Sequence, residues 1–169
     1  MKALILSDSH GWTNEVKEII DRHRDEVDVV YHCGDSELDQ DHPVLKDANV
    51  VKGNCDFGVD FPNEIKEDVK GVRFYITHGH LYNVKLTTDR LSYRAEEMGA
   101  AIACFGHTHI ATSFEQNGVI YINPGSIKLP LGGRTKTYAI CERINDVTTV
   151  TFHQQTDGEI VEELTKVYD

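Results

Sequence analysis

Five short apolar runs in this chain end the same way, in a polar turn that carries aspartate, asparagine or histidine, most of them beside a glycine. Ala3-Leu4-Ile5-Leu6 runs into Ser7-Asp8-Ser9-His10, the run from Val27 through His32-Cys33 into Gly34-Asp35, and Asn49-Val50-Val51-Lys52 into Gly53-Asn54-Cys55-Asp56. The run at residues 72–77 reaches His78-Gly79-His80, and Ala100-Ala101-Ile102-Ala103-Cys104 reaches Phe105-Gly106-His107-Thr108-His109. Continuous apolar runs of this length read as strands buried on both faces. In open α/β sheets the loops beyond the carboxyl ends of the strands converge over one edge, where functional groups gather. The pattern therefore constrains the fold and the site together.

Between the first two runs, Thr13 or Asn14 can cap a helix whose Val16, Ile19 and Ile20 recur at helical spacing. Strand, helix and strand make a βαβ unit with a parallel pair. Residues 36–47 are polar and contain Pro43, which predicts a loop with a short helix at most. The rhythm then changes. Residues 64–69 and 72–77 alternate around Lys70-Gly71, as a hairpin does. A helix is expected over residues 88–98, with Leu91, Ala95 and Met98 inward and Gly99 closing it. Asn117-Gly118 between residues 112–115 and 119–122 predicts a second hairpin, and Asn145-Asp146 between 137–143 and 147–153 marks a third turn. Asn123-Pro124-Gly125-Ser126 breaks a strand, Gly132-Gly133 reads as a mobile loop, and a short amphipathic tail is expected at the end. With 169 residues, no repeat and no linker, one α/β domain over residues 1–169 is the economical reading.

The formal net charge of −11 opposes non-specific binding to nucleic acid or to an anionic membrane, since both need a positive field. No apolar stretch reaches transmembrane length, and the first run stops at Ser7-Asp8, too early for a signal-peptide core. A cytoplasmic location is expected. Cys33, Cys55, Cys104 and Cys141 are widely spaced with no Cys-x-x-Cys, so a reducing compartment fits.

Any one of the strand-end residues could merely cap its turn, as Asp and Asn often do. Caps do not require imidazole, however, and the joint set of Asp8, His10, Asp35, Asn54, His78, His107 and His109 points to metal. Imidazole, carboxylate and amide oxygen together suit Mn²⁺, Fe, Zn²⁺, Ni²⁺ or Co²⁺ better than Ca²⁺, which takes oxygens only. Seven ligands exceed what one tetrahedral ion can use, so two ions sharing a carboxylate are expected. Two carboxylates against two divalent ions leave about two positive charges, which would attract a phosphate ester to an acidic protein.

The ordered set Asp8-x-His10, Gly34-Asp35, Gly53-Asn54-x-Asp56, His78-Gly79-His80 and Gly106-His107-x-His109 resembles the calcineurin-like metallophosphoesterase superfamily, and most of all its small bacterial and archaeal phosphodiesterase branch. Asn123-Pro124-Gly125-Ser126 matches a later segment of that branch. The resemblance implies four layers, two mixed β-sheets packed face to face with helices outside. It implies Asp8, His10 and His109 on one ion, Asn54, His78 and His107 on the other, and Asp35 bridging. Hydrolysis of a small phosphate ester by a hydroxide held between two ions, manganese first with Zn, Fe, Ni or Co as alternatives, is the implied activity. Many members carry histidine after the motif asparagine, where it helps protonate the leaving group; here Cys55 stands there. A thiol beside two cations tends toward thiolate and donates protons poorly, so the general acid is left open: His80 reads either as a substitute or as a supporting or surface residue.

A phosphomonoesterase with the same centre is the nearest rival reading, and a protein-binding scaffold like the degenerate phosphoesterase-fold subunit of the retromer is the rival from another class. All seven positions here hold competent ligands, which favours the enzyme. Arg134 could steer a phosphate, while His23, His32, His42 and His153 lie outside the strand ends and read as structural or surface groups. The missing acid predicts that aryl diesters, whose leaving groups need no proton, turn over faster than alkyl ones. A diester series with little rate dependence on leaving-group pKa would contradict that expectation.

Overall fold

The fold was analysed in a computed structural model, which describes residues 1–131 and 135–169. Strands β1 (Lys2–Leu6), β2 (Val29–His32) and β3 (Asn49–Val50) are parallel, with helix α1 (Asn14–His23) crossing between the first two. The hairpin of β4 (Glu64–Val69) and β5 (Val72–Thr77) follows, then α2 (Asp89–Glu97) and β6 (Ile102–Cys104). Two more hairpins, β7 (Thr112–Gln116) with β8 (Val119–Asn123) and β9 (Thr137–Ile144) with β10 (Val147–Gln154), precede β11 (Lys166–Tyr168).

The strands form two mixed sheets, in the orders β11-β10-β9-β1-β2-β3 and β4-β5-β6-β8-β7. Alternation along each strand decides what packs where. Ala3 and Ile5 of β1 join Tyr31, Phe74, Ile76, Ile102 and Ile122 in the layer between the sheets. Leu4 and Leu6 point the other way, onto Val16, Ile19 and Ile20 of α1. On the far side, Tyr75, Ala103 and Tyr121 meet Leu91 and Ala95 of α2. These contacts build the helix–sheet–sheet–helix sandwich, and the buried two-faced strands explain why their sequences are continuously apolar.

Several elements differ from the sequence reading. β2 and β3 end earlier than expected, as Cys33 and Val51-Lys52 leave the strands toward the site, while β2 and β6 also begin two residues later, at Val29 and Ile102. Thr13 occupies the position before α1 but makes no side-chain cap bond. The tail is more than amphipathic: β11 adds an antiparallel strand to β10, while Lys166 Nζ and Tyr168 Oη donate to the carbonyl and hydroxyl of Ser113 in the other sheet. Gly132-Gly133 and Arg134 lie outside the described residues. All four cysteines are free, and among the described residues no helix is long and apolar enough to cross a membrane.

Every carboxyl end that the sequence singled out opens on the same edge of the sandwich, three from the first sheet and two from the second. β8 runs parallel to β6 and brings Asn123 there as well, where its Nδ2 donates to the Gly106 carbonyl. His32 joins two of these ends. Its Nδ1 accepts from Gly34 N–H at 3.2 Å and its Nε2 faces Ser9 Oγ at 2.9 Å, so the ring is neutral and its Nε2 carries the proton. It is completely buried, and burial pushes its pKa down to about 4. Below pH 6.5 the unfolded chain gains a proton here that the fold refuses, so stability is lost as pH falls from about 6.5 toward 4. Between pH 7 and 5 this one group should cost about 2 kcal/mol. Urea melts at both pH values should show that drop reduced by about the same amount in His32→Gln; equal drops in the two proteins would contradict it.

Candidate metal centre

Asp8 lies two residues past β1, fully buried, and its two carboxylate oxygens have different surroundings. Oδ2 accepts from Ser7 Oγ at 2.6 Å and from His107 N–H at 3.2 Å. Oδ1 is buried with no hydrogen-bond donor of its own. Around it stand three imidazole Nε2 atoms, from His109 at 3.1 Å, His10 at 3.9 Å and His78 at 4.0 Å.

The other ring nitrogen of each imidazole explains the geometry. His78 Nδ1 donates to the Cys33 carbonyl and His109 Nδ1 to the Leu129 carbonyl, both at 2.7 Å, while His10 Nδ1 meets the Glu37 carboxylate. A neutral ring that donates through Nδ1 presents a bare lone pair at Nε2. Three such lone pairs aimed at an orphaned carboxylate oxygen are mutually repulsive without a proton or a cation between them. A divalent ion resolves that repulsion, so the donor set fits the group that its chemistry implies.

A second neighbourhood adjoins the first. Asp35 Oδ2 is 3.4 Å from His78 Nε2, which also lies 3.0 Å from Asn54 Oδ1. The ring of His107 packs against that of His78 with centroids 5.0 Å apart, and His109 Nε2 approaches His10 Nε2 at 3.4 Å. His107 thus lies beside His78, and His109 beside His10. Among the described residues, three groupings of His, Cys, Asp and Glu have ligand atoms mutually close enough for one ion: Asp8, His10 and His109; Asp8, Asp35 and His78; and His10, Asp35 and Cys55; His107 is in none of them. Asp8 belongs to two of them, so it is as central as Asp35, to which the resemblance alone gave the shared position.

The charges respond as such a cluster must. Burial opposes ionisation of Asp8 and Asp35, but the imidazoles outweigh it and hold both carboxyl groups below their ordinary range. His109 is raised by the nearby Asp8 carboxylate, and His78 is raised because Asp35 and Asp8 overcome its burial. His107 goes the other way, to about 4, through burial and the charges of His78 and Lys85. Burial first, and then the Asp35 carboxylate, push the Cys55 thiol up to about 11 in the metal-free chain. His80 sits 5.3 Å from the His78 ring, its Nδ1 buried without a partner and its pKa lowered by burial and by His78.

The backbone is strained where the ligands are. Asp8, His10, Asp35, Glu37, His107 and His109 all have left-handed φ, between 42° and 67°. Gly106 does not use its freedom of φ; His107 takes the left-handed turn instead. Space is what Gly106 supplies. A Cβ there would lie 2.1 Å from Ser7 Oγ and 2.7 Å from Asp8 Oδ2, and one on Gly53 would lie 2.0 Å from Asp35 Oδ1.

Sequence reasoning assigned no role to Asp56, although its motif contains it. Its buried carboxylate accepts from the backbone N–H groups of Asp35, Gly53 and Glu37, tying two strand ends together. Cys55 N–H in turn donates to Asp35 Oδ1 at 2.7 Å. Ser126 stood in the sequence as part of a strand break and of a segment matching the branch, without a role of its own; its Oγ donates to the Asp8 carbonyl at 2.8 Å. The other histidines are structural or peripheral: His23 and His153 pack with Tyr138, and His42 accepts from Val44 N–H. Gly106→Ala should leave the circular dichroism spectrum unchanged and weaken Mn²⁺ binding by about tenfold or more in calorimetry, because it displaces the Asp8 carboxylate. Wild-type affinity in that variant would contradict the steric account.

Comparison with known proteins places this geometry. The calcineurin-like phosphoesterase superfamily domain matches residues 1–146. The chain is 50% identical over 160 residues to the Probable metallophosphoesterase YsnB of Bacillus subtilis (strain 168), covering 95% of each. It is 25% identical over 180 residues to the phosphodiesterase YfcE of Escherichia coli (strain K12), covering 89% of this chain and 91% of that one. The crystal structure of a conserved uncharacterized protein from Streptococcus pneumoniae TIGR4, a predicted phosphoesterase, superposes with a TM-score of 0.95 at 36% identity, over 99% of this chain and 96% of that one. The chain belongs to the calcineurin-like phosphoesterase superfamily.

Proposed function

We propose that this protein hydrolyses phosphodiesters with two divalent transition-metal ions, manganese first among Mn, Zn, Fe, Ni and Co. Asp8, His10 and His109 would hold one ion, and Asn54, His78 and His107 the other, with Asp35 between them. The observation that carries this reading is Asp8 Oδ1, buried without a donor and faced by three Nε2 atoms. The phosphodiesterase name of YfcE supports the choice of diesters. Such ions, when bound, supply Lewis acidity to the phosphate oxygens and make hydroxide accessible near neutral pH.

The chain's own part is to fix donors before substrate arrives. Ser7 and the His107 N–H hold Asp8 in one rotamer, and Cys55 N–H holds Asp35. The Cys33 and Leu129 carbonyls and the Glu37 carboxylate aim the imidazoles. Such preorganisation lowers the reorganisation needed as charge develops on the phosphate. Cys55 and His80 are protic side chains beside the cluster; Cys55 Sγ accepts from Asn54 Nδ2 at 3.4 Å, and His80 Nδ1 is buried without a partner. A small phosphate ester is the substrate that the net charge of −11 favours over nucleic acid or a membrane surface. A cytoplasmic location and action as a single domain complete the proposal.

Purified protein supplied with Mn²⁺ should bind two ions and hydrolyse bis(4-nitrophenyl) phosphate. Asp35→Ala and His107→Ala should each lower kcat/KM by about a hundredfold or more, since even residues behind metal ligands cost ten- to a hundredfold. Unchanged activity in either variant would refute the two-metal reading, and protein that binds no metal and turns over nothing would point to a scaffold.

A further inference from the structure

One cleft of about 490 Å³ shares His107 and His109 with the ligand cluster and extends away from it. Its walls are apolar: Val84 and Phe105 are buried in its floor, Ile110 and Phe114 flank them, and Leu131 stands exposed at the mouth. The Phe114 ring is stacked on Tyr121, with centroids 4.9 Å apart and planes 11° apart, so that wall is preformed. Lys85 is the one cation besides the histidines, and no Asp or Glu lines the cleft among the described residues. In a chain with 28 acidic residues against 17 basic ones, such a lining suits an anion with an apolar appendage.

Hydrogen bonding narrows the occupant further. The remaining lining side chains are Thr88, Thr108 and Thr112. Thr108 Oγ1 already accepts from Ile110 N–H at 3.2 Å and from Asn123 Nδ2 at 2.9 Å, which uses both of its lone pairs. A polyhydroxylated alcohol group would lose its water against these largely apolar walls, at a cost that an aromatic ring does not incur. A phosphate held beside His107 and His109 would lie next to these walls, within reach of one ester group.

We infer that this cleft is the specificity pocket of the phosphodiesterase centre and takes the aromatic ester group of its substrate, with Lys85 meeting the anion. The inference rests on the function proposed above. It concerns recognition of the ring, so it is separate from the leaving-group acidity that governs departure.

Binding of phenylphosphonate and methylphosphonate to the Zn²⁺-loaded protein tests it without turnover. Calorimetry should give phenylphosphonate at least about a tenfold advantage, as burial of one ring predicts, and the methyl NMR signals of Ile110 and Leu131 should move with the phenyl compound only. Leu131→Asp, at an exposed position, and Ile110→Thr should each narrow the ratio to below about threefold. Equal affinities in the wild type, or an advantage that survives both variants, would overturn the inference while hydrolysis of bis(4-nitrophenyl) phosphate stands. If neither phosphonate binds and no diester is hydrolysed, the functional reading fails and the pocket's role fails with it.

Discussion

A buried carboxylate oxygen without a donor is a costly thing to fold around, and Asp8 Oδ1 is held in that condition by residues from the whole length of the chain. Ser7 occupies the other oxygen, His107 approaches from β6, and Ser126 pins the Asp8 carbonyl from beyond β8. The imidazoles around it are fixed from behind by groups that face away from the site. Each of these contacts is local and modest, but together they prevent the obvious relief, in which the carboxylate or the rings swing into solvent.

The sandwich supplies the leverage for this. Left-handed backbone at six residues near the site costs on the order of 1–2 kcal/mol each, and none of the six is glycine. That strain is sustained because the strands behind it are buried on both faces and cannot relax without opening the core. Parallel strands matter as well. β1, β2, β3, β5, β6 and β8 each deliver a carboxyl end, so donors far apart in sequence meet at one edge.

Much of this was legible in the sequence, and the reasons differ by element. Hairpins at Lys70-Gly71 and Asn117-Gly118 announce themselves because turn chemistry is local, and both occur where expected. The seven ligand-type residues could be picked out since imidazole has no reason to recur at strand ends otherwise. The acceptors behind the rings could not: the Cys33 and Leu129 carbonyls are backbone groups and leave no mark on residue identity. Gly106 was visible but its reason was not, because the crowding comes from Ser7 and Asp8, about a hundred residues away. β11 was missed because a three-residue edge strand carries almost no periodicity, and the cleft because Val84, Phe114 and Leu131 meet only in the fold.

Two cations at one edge, with His107 and His109 parted between them, is the claim on which the rest turns. Anomalous diffraction from crystals grown with Mn²⁺ would test it most directly. The account predicts two peaks, one bounded by Asp8, His10 and His109 and the other by Asn54, His78 and His107, with the Asp35 carboxylate between. A single peak coordinated by both His107 and His109 would contradict it.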